Sequence, residues 1–180
     1  MMQSLIIGGI RIPLYASLQV RQEYSAVDGT SRLRMASGKI KTRRRWPAAG
    51  VGQYWATSIS GSGTIPAPIL QFKRDVPYRL DCVERMSVYS ATVSVPLPLG
   101  SRVDAGYAPV GLAMMADGTL VETPIVSLVA NVATLTAVAG AIQYQVDFYP
   151  SFDALIDFSV WGEPYAANRG WQITAEEYHG

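Results

Sequence analysis

The 180-residue sequence has one cysteine, Cys82, and one histidine, His179. A lone cysteine excludes an intramolecular disulfide, and no oxidising compartment is implied. A single imidazole at position 179 leaves no partner for a Ser-His-Asp or Cys-His centre. Together the two counts exclude the usual ligand sets for zinc, copper or iron. No catalytic centre, metal or cofactor is therefore expected. Charge is scarce as well. Asp, Glu, Lys and Arg make up 16% of the chain, against roughly 25% in an average soluble domain. With hydrophobic residues at 49%, a surface this poor in charge is expected to be covered by something else. No window holds a convincing amphipathic helix longer than two turns, and Ser151 to Ile156 is expected to make one short turn. Met1 to Pro13 lacks a basic region, and its apolar run, Leu5 to Ile10, is too short for a signal-peptide core, so a cytoplasmic product is expected.

Long apolar runs are limited to Ile125 to Ile142. It reaches the minimum length for a membrane helix, but Ser127, Asn131, Thr134 and Thr136 interrupt it and no Lys or Arg flanks it. Two buried strands turning near Asn131 fit its Val, Ile and Thr content better than a span.

What the chain does have is period-2 alternation, the mark of a half-buried strand. Ile12, Leu14, Ala16, Leu18, Val20 and Tyr24 form one apolar row, predicting a long strand that begins near Pro13. Arg32 and Arg34, then Lys39, Lys41, Arg43 and Arg45, predict a hairpin with a strongly basic face. Strands are also predicted over Tyr54 to Ser60, Val76 to Cys82, Met86 to Val95, Ile142 to Phe148 and Phe152 to Trp161. A hairpin is predicted to turn at Asp117-Gly118. Glycine (16) and proline (11) are spread between these segments. The pattern is all-β, an antiparallel sandwich or barrel. Cys82, on the apolar side of the Val76, Tyr78, Leu80 series, is expected to be buried and inert.

The net charge of +1 conceals a lengthwise dipole. Residues 1–85 carry 13 Lys/Arg against 5 Asp/Glu, and residues 86–180 carry 2 against 9. This allows a two-part reading, a basic half over 1–95 and an acidic half over 96–180, each with its own sheet. Between Asp28 and Asp75 there is no acid, while nine basic residues occur. With Trp46, Tyr54 and Trp55 nearby, the segment has the ingredients of single-strand nucleic-acid binding. A solvated basic face is a second reading. Docking on the acidic half, in the same chain or in a neighbour, is the third and the one the dipole favours. Arg outnumbers Lys 12 to 3, in keeping with interface forks. The expected assembly contact is Lys39, Lys41, Arg43, Arg44, Arg45, Trp46, Tyr54 and Trp55.

Other constellations are weaker. Gly61-Ser62-Gly63 lacks the following Gly-Lys-Ser/Thr and helix of a phosphate cradle. Asp147, Asp153 and Asp157 lack calcium-loop spacing. Ser58, Ser60 and Ser62 have no base to activate them. The aromatics Trp46, Trp55, Trp161, Trp171, Tyr149, Tyr165 and Tyr178 lie in or beside turn-rich segments, where they suit an interface, a carbohydrate site or a core.

Two stretches carry a resemblance. Trp55-Ala56-Thr57-Ser58-Ile59-Ser60-Gly61-Ser62-Gly63, followed by Ile65-Pro66, resembles a segment of small structural proteins of tailed bacteriophages. Gly170-Trp171-Gln172-Ile173-Thr174-Ala175-Glu176-Glu177, preceded by Tyr144 to Pro150, resembles the end of such tail proteins. The resemblance implies a virion component of the distal tail or baseplate, a β-rich adaptor that forms a homo-oligomeric ring with other tail proteins as partners. A carbohydrate- or receptor-binding β-sandwich of the virion is the alternative.

Overall fold

Alternating apolar residues need a sheet with one buried face, and the structure, a computed structural model, supplies it almost everywhere. It describes residues 4–13, 20–27, 30–34, 40–44, 54–62, 71–162 and 170–178. In chain order its strands are β1 (Ser4–Ile7), β2 (Ile10–Pro13), β3 (Arg21–Val27), β4 (Thr30–Arg34), β5 (Ile40–Arg44), β6 (Tyr54–Ser62), β7 (Tyr78–Asp81), β8 (Met86–Ser90) and β9 (Ser94–Pro96). They continue with β10 (Gly100–Ser101), β11 (Val110–Met115), β12 (Leu120–Thr123), β13 (Ile125–Val129), β14 (Val132–Leu135), β15 (Ala141–Phe148), β16 (Pro150–Trp161) and β17 (Gly170–Glu177). No α-helix occurs among the described residues, and the fold is all-β and antiparallel. None of them forms a helix long and apolar enough to cross a membrane.

The largest sheet runs β2-β1-β7-β16-β17-β6-β3, with β10 beside the start of β16. Strands β3 and β7 stand four places apart in that order, about 19 Å if the sheet were flat. Yet Gln22 Oε1 on β3 accepts the backbone N–H of Val83 (2.9 Å) and of Glu84 (3.2 Å), just past β7. Tyr24 donates from the same strand to the Glu84 carbonyl at 2.7 Å. The sheet therefore curls over on itself and encloses Leu5, Ile7, Ile12, Ile59, Leu80, Phe152, Ile156, Trp171 and Ile173, all buried. Cys82 is fully buried with them.

A second layer pair stands on this curled sheet. The sheet β12-β11-β15-β8 packs against β13-β14-β9, with Ala113, Tyr144, Val146 and Phe148 meeting Val95, Ala133 and Leu135 in one core continuous with the first. Only Tyr149 separates β15 from β16, so one long stretch of chain passes from the second unit into the first. Since β16 and β17 pair with β6 and β7, the basic and acidic halves share a sheet, and the change of charge is not a boundary between sheets.

Several local expectations need correcting. Ile12 to Tyr24 is not one strand: β2 and β3 lie at opposite ends of the curled sheet. Gln22, the polar residue of the even-numbered row, is itself buried. Its amide is satisfied by Thr57 Oγ1 (2.9 Å) and the two backbone N–H groups. Ser151 to Ile156 is strand, because β7 and β17 pair along it. The turn near Asn131 is where expected, with Ala130 and Asn131 both at positive φ (49° and 60°), the form that suits a two-residue hairpin. Of its strands only β14 buries a row, Ala133 and Leu135; Val126 and Val129 on β13 are each 69% exposed. Of the three readings open for Trp171, the core is the one it takes.

Candidate assembly interface

The basic hairpin exists as β4 and β5, paired Thr30↔Arg44, Arg32↔Thr42 and Arg34↔Ile40. This register sets residues 32 and 34 opposite 42 and 40, so the pleat places Arg32 and Arg34 on the other face of the ribbon from Lys41 and Arg43. The ribbon is basic on both faces, a correction to the single basic face expected from alternation within each strand. It is an excursion between β3 and β6, which pair with each other down to Val27↔Tyr54. Among the described residues β4 and β5 pair with no other strand.

The expected contact residues divide as follows. Lys39, Arg45 and Trp46 lie outside the described residues. Lys41, Arg43 and Arg44 are on β5, and Tyr54 opens β6 at the root of the ribbon. Trp55 turns to the inner side of the curled sheet, and its backbone N–H donates to Glu177 Oε2 at 3.0 Å. Its indole lines an open groove of about 470 Å³ with Met86, Val88 and Tyr89 of β8 and with Pro96, Leu97 and Pro98. The Trp55 Nε1 proton has no acceptor. Thus the structure sets Trp55 beside β8, on the seam between the two units.

Sequence reasoning missed the outer face of the sheet β12-β11-β15-β8. Cross-strand register lines up Glu122, Leu112, Gln145 and Tyr89 in one row, and Leu120, Met114 and Gln143 in the next. Asp147 continues it, held by Ser87 Oγ (2.7 Å) and Gln145 Nε2 (2.6 Å). Apart from Gln145 these side chains are half-buried or exposed; Tyr89 is 52% and Leu120 49% exposed. The signal was available: from 103 to 148 the chain has four acids and neither Lys nor Arg.

Elsewhere polar groups are consumed in holding the units together. Arg102, 2% exposed, forks onto Asp104 through Nε (2.9 Å) and Nη2 (2.7 Å). Its Nη1 donates to the carbonyls of Cys82 (2.7 Å), Ser4 (3.2 Å) and Asp81 (3.3 Å). The hydrogen bond from Arg102 holds the Asp104 carboxyl below its usual range, against the opposing effect of burial. Burial would lower the Arg102 pKa, but the bond and charge of Asp104 outweigh it and the net direction is up. Burial pushes the Cys82 thiol up to about 12, and burial likewise raises the Tyr24 hydroxyl. Asp81 accepts a short bond from Ser151 Oγ, and Arg79 and Arg74 meet Asp153 (3.8 Å) and Asp157 (3.0 Å) on the exposed face. No three His, Cys, Asp or Glu side chains converge as a metal site among the described residues. No protein-family model matches the chain, and no curated protein matches it significantly. Strands β6 and β17 are neighbours, paired from Gly170↔Ser62 to Glu176↔Ala56.

Proposed function

We propose that this chain is a structural assembly protein of a virion, a β-rich adaptor of the distal tail or baseplate that forms a homo-oligomeric ring. The observation that carries the assembly reading is the β4–β5 ribbon. A two-stranded ribbon alone is marginal in water, and this one pairs with no other strand among the described residues, so it calls for a partner. The low charge of residues 103–148 and the exposed apolar side chains Leu120, Val126 and Val129 support the same reading, since patches of this kind mark contact surfaces. The resemblance of β6 and β17 to phage tail segments supports the virion. In solution the chain is expected to sediment as a discrete oligomer, and antibody against it is expected to label the tail tip of particles from the encoding phage. A 19.5 kDa monomer at micromolar concentration overturns the ring, and unlabelled particles overturn the virion role.

The Trp55 groove favours the second reading, a glycan- or receptor-binding module, because Trp55 and Tyr89 offer stacking surfaces in an open cleft. Retention on a glycan array that Trp55→Ala abolishes would establish it. A nucleic-acid strand on the basic ribbon makes a different forecast, binding that falls steeply with salt.

A further inference from the structure

We propose that the β4–β5 ribbon of one copy docks on the outer face of the sheet β12-β11-β15-β8 of a second copy. This rests on the assembly reading and names its two surfaces. The argument is one of complementarity. The described ten residues of the ribbon include Arg32, Arg34, Lys41, Arg43 and Arg44 and no acid. The face opposite offers half-buried Leu112 and Met114, exposed Leu120 and Tyr89, and the carboxylates Glu122 and Asp147. No Lys or Arg lies between 103 and 148 to repel the ribbon. Like-charge repulsion within the ribbon lowers further the already marginal stability of an isolated pair of strands, and a sheet face stacked about 10 Å away supplies both the apolar cover and the countercharge. Arg and Lys suit such a face because their stems lie along apolar surface while their heads seek carboxylates.

Ribbon and face are different surfaces of the chain, so the contact is heterologous and each copy presents both halves of it. Such a contact closes into a ring when the rotation permits and runs on as a filament when it does not. The ribbon's root, Val27↔Tyr54, adjoins Trp55 and hence the groove along β8, whose Tyr89 also stands on the proposed face. Neighbouring copies therefore meet beside that groove.

Full-length chains test this: Thr42→Cys in the ribbon and Tyr89→Cys on the face, mixed and treated with a short bis-maleimide, with a chain carrying both substitutions treated alongside. Cys82 is buried and does not compete. The expected product is a cross-linked pair that needs both chains in the mixture. In parallel, Glu122→Arg and the double variant Arg43→Glu/Arg44→Glu are each expected to weaken assembly at least tenfold in sedimentation velocity, and their combination to restore much of it. If the wild type is oligomeric, Glu122→Arg assembles like it and no mixed cross-link forms, the docking is overturned while the assembly reading stands. A cross-link found only within one chain carrying both cysteines overturns it in favour of docking onto the chain's own face. A monomeric wild type overturns both. Should the double variant fail to fold, the cysteine pair, which changes no charge, decides.

Discussion

The Arg102 guanidinium lies 3.5 Å from the centroid of the Tyr107 ring, and Tyr107 Oη accepts the backbone N–H of Ser4 at 2.8 Å. One cation thus ties together the start of β1, the chain just past β7 and the segment before β11. Tyr107 packs edge-on against Tyr149 at 4.8 Å, and the Tyr149 carbonyl accepts the Arg102 N–H at 2.8 Å. This is the point where β15 passes into β16, so the Arg102 cluster fixes the two units against each other.

Replacing Arg102 with Met is expected to cost roughly 2 kcal/mol or more, the scale for leaving buried carbonyls without their donor. It strands three carbonyls that face the protein interior, and a lysine would reach one or two of them as a point charge without the fork. Arg102→Lys should therefore recover only part of the loss. Chemical denaturation of both variants measures it, and a midpoint unchanged for Arg102→Met would show that the cluster contributes nothing to stability.

The same pair predicts an acid response. Asp104 titrates lower in the folded chain than in the unfolded one, so its contribution is present above the ordinary carboxyl range and is lost as pH falls through the depressed value. Its side chain is 43% exposed, which keeps the effect modest. Asp104→Asn is expected to flatten the decline in stability below about pH 4, leaving a weaker protein at neutral pH. A wild-type slope in Asp104→Asn would assign the acid response to other carboxylates.

How much of this was readable from sequence follows from the range of each interaction. Alternation exposed β6, β7, β15 and β16 because each presents one face to a core, and the Asp117-Gly118 and Asn131 turns are local chemistry. The Gly8-Gly9 turn, with φ of 55° and 80°, was equally local and was missed, since Leu5 to Ile10 reads as one apolar run. Arg102 was invisible as a tie between the units: beyond Asp104, its partners are backbone carbonyls at residues 4, 81 and 82, which carry no sequence signature. Trp55 stands out in the sequence as a large aromatic, but its place beside β8 depends on how two sheets meet. The ribbon's two basic faces follow from a register that composition does not encode.

Gly111 is required by close packing between the second pair of sheets. A Cβ there would stand 2.5 Å from Leu135 Cδ2 and 2.6 Å from the Thr123 carbonyl oxygen. The leucine contact is with the end of a side chain, but the carbonyl belongs to the neighbouring strand, paired Gly111↔Thr123. Gly111→Ala is expected to destabilise by about 1–3 kcal/mol through overpacking, and Leu135→Ala in the same chain to leave that cost largely in place. Full rescue by Leu135→Ala would show that only the side chain was in the way.

Cys82 provides a probe of the core itself. With its thiol pushed up to about 12, the thiolate fraction at pH 8 is on the order of one in 10⁴, and the side chain is fully buried. Maleimide labelling of the native protein is expected to proceed only as fast as the chain opens, and to be complete at once in denaturant. The raised value has a definite sign for stability. In the unfolded chain the thiol ionises above about pH 9, while in the folded chain it stays protonated until about 12, so the favourable difference is intact below 9 and is lost as pH rises toward 12. The slope reaches up to about 1.4 kcal/mol per pH unit. Tyr24, raised by the same burial, acts in the same direction. Cys82→Ala should therefore reduce the alkaline slope between about pH 9 and 11 without removing it, while Cys82→Ala with Tyr24→Phe should remove most of it. Stoichiometric labelling of the native protein within seconds, or an alkaline slope unchanged in the double variant, would contradict the burial of Cys82 inside the curled sheet and the packing of Tyr24 against that core.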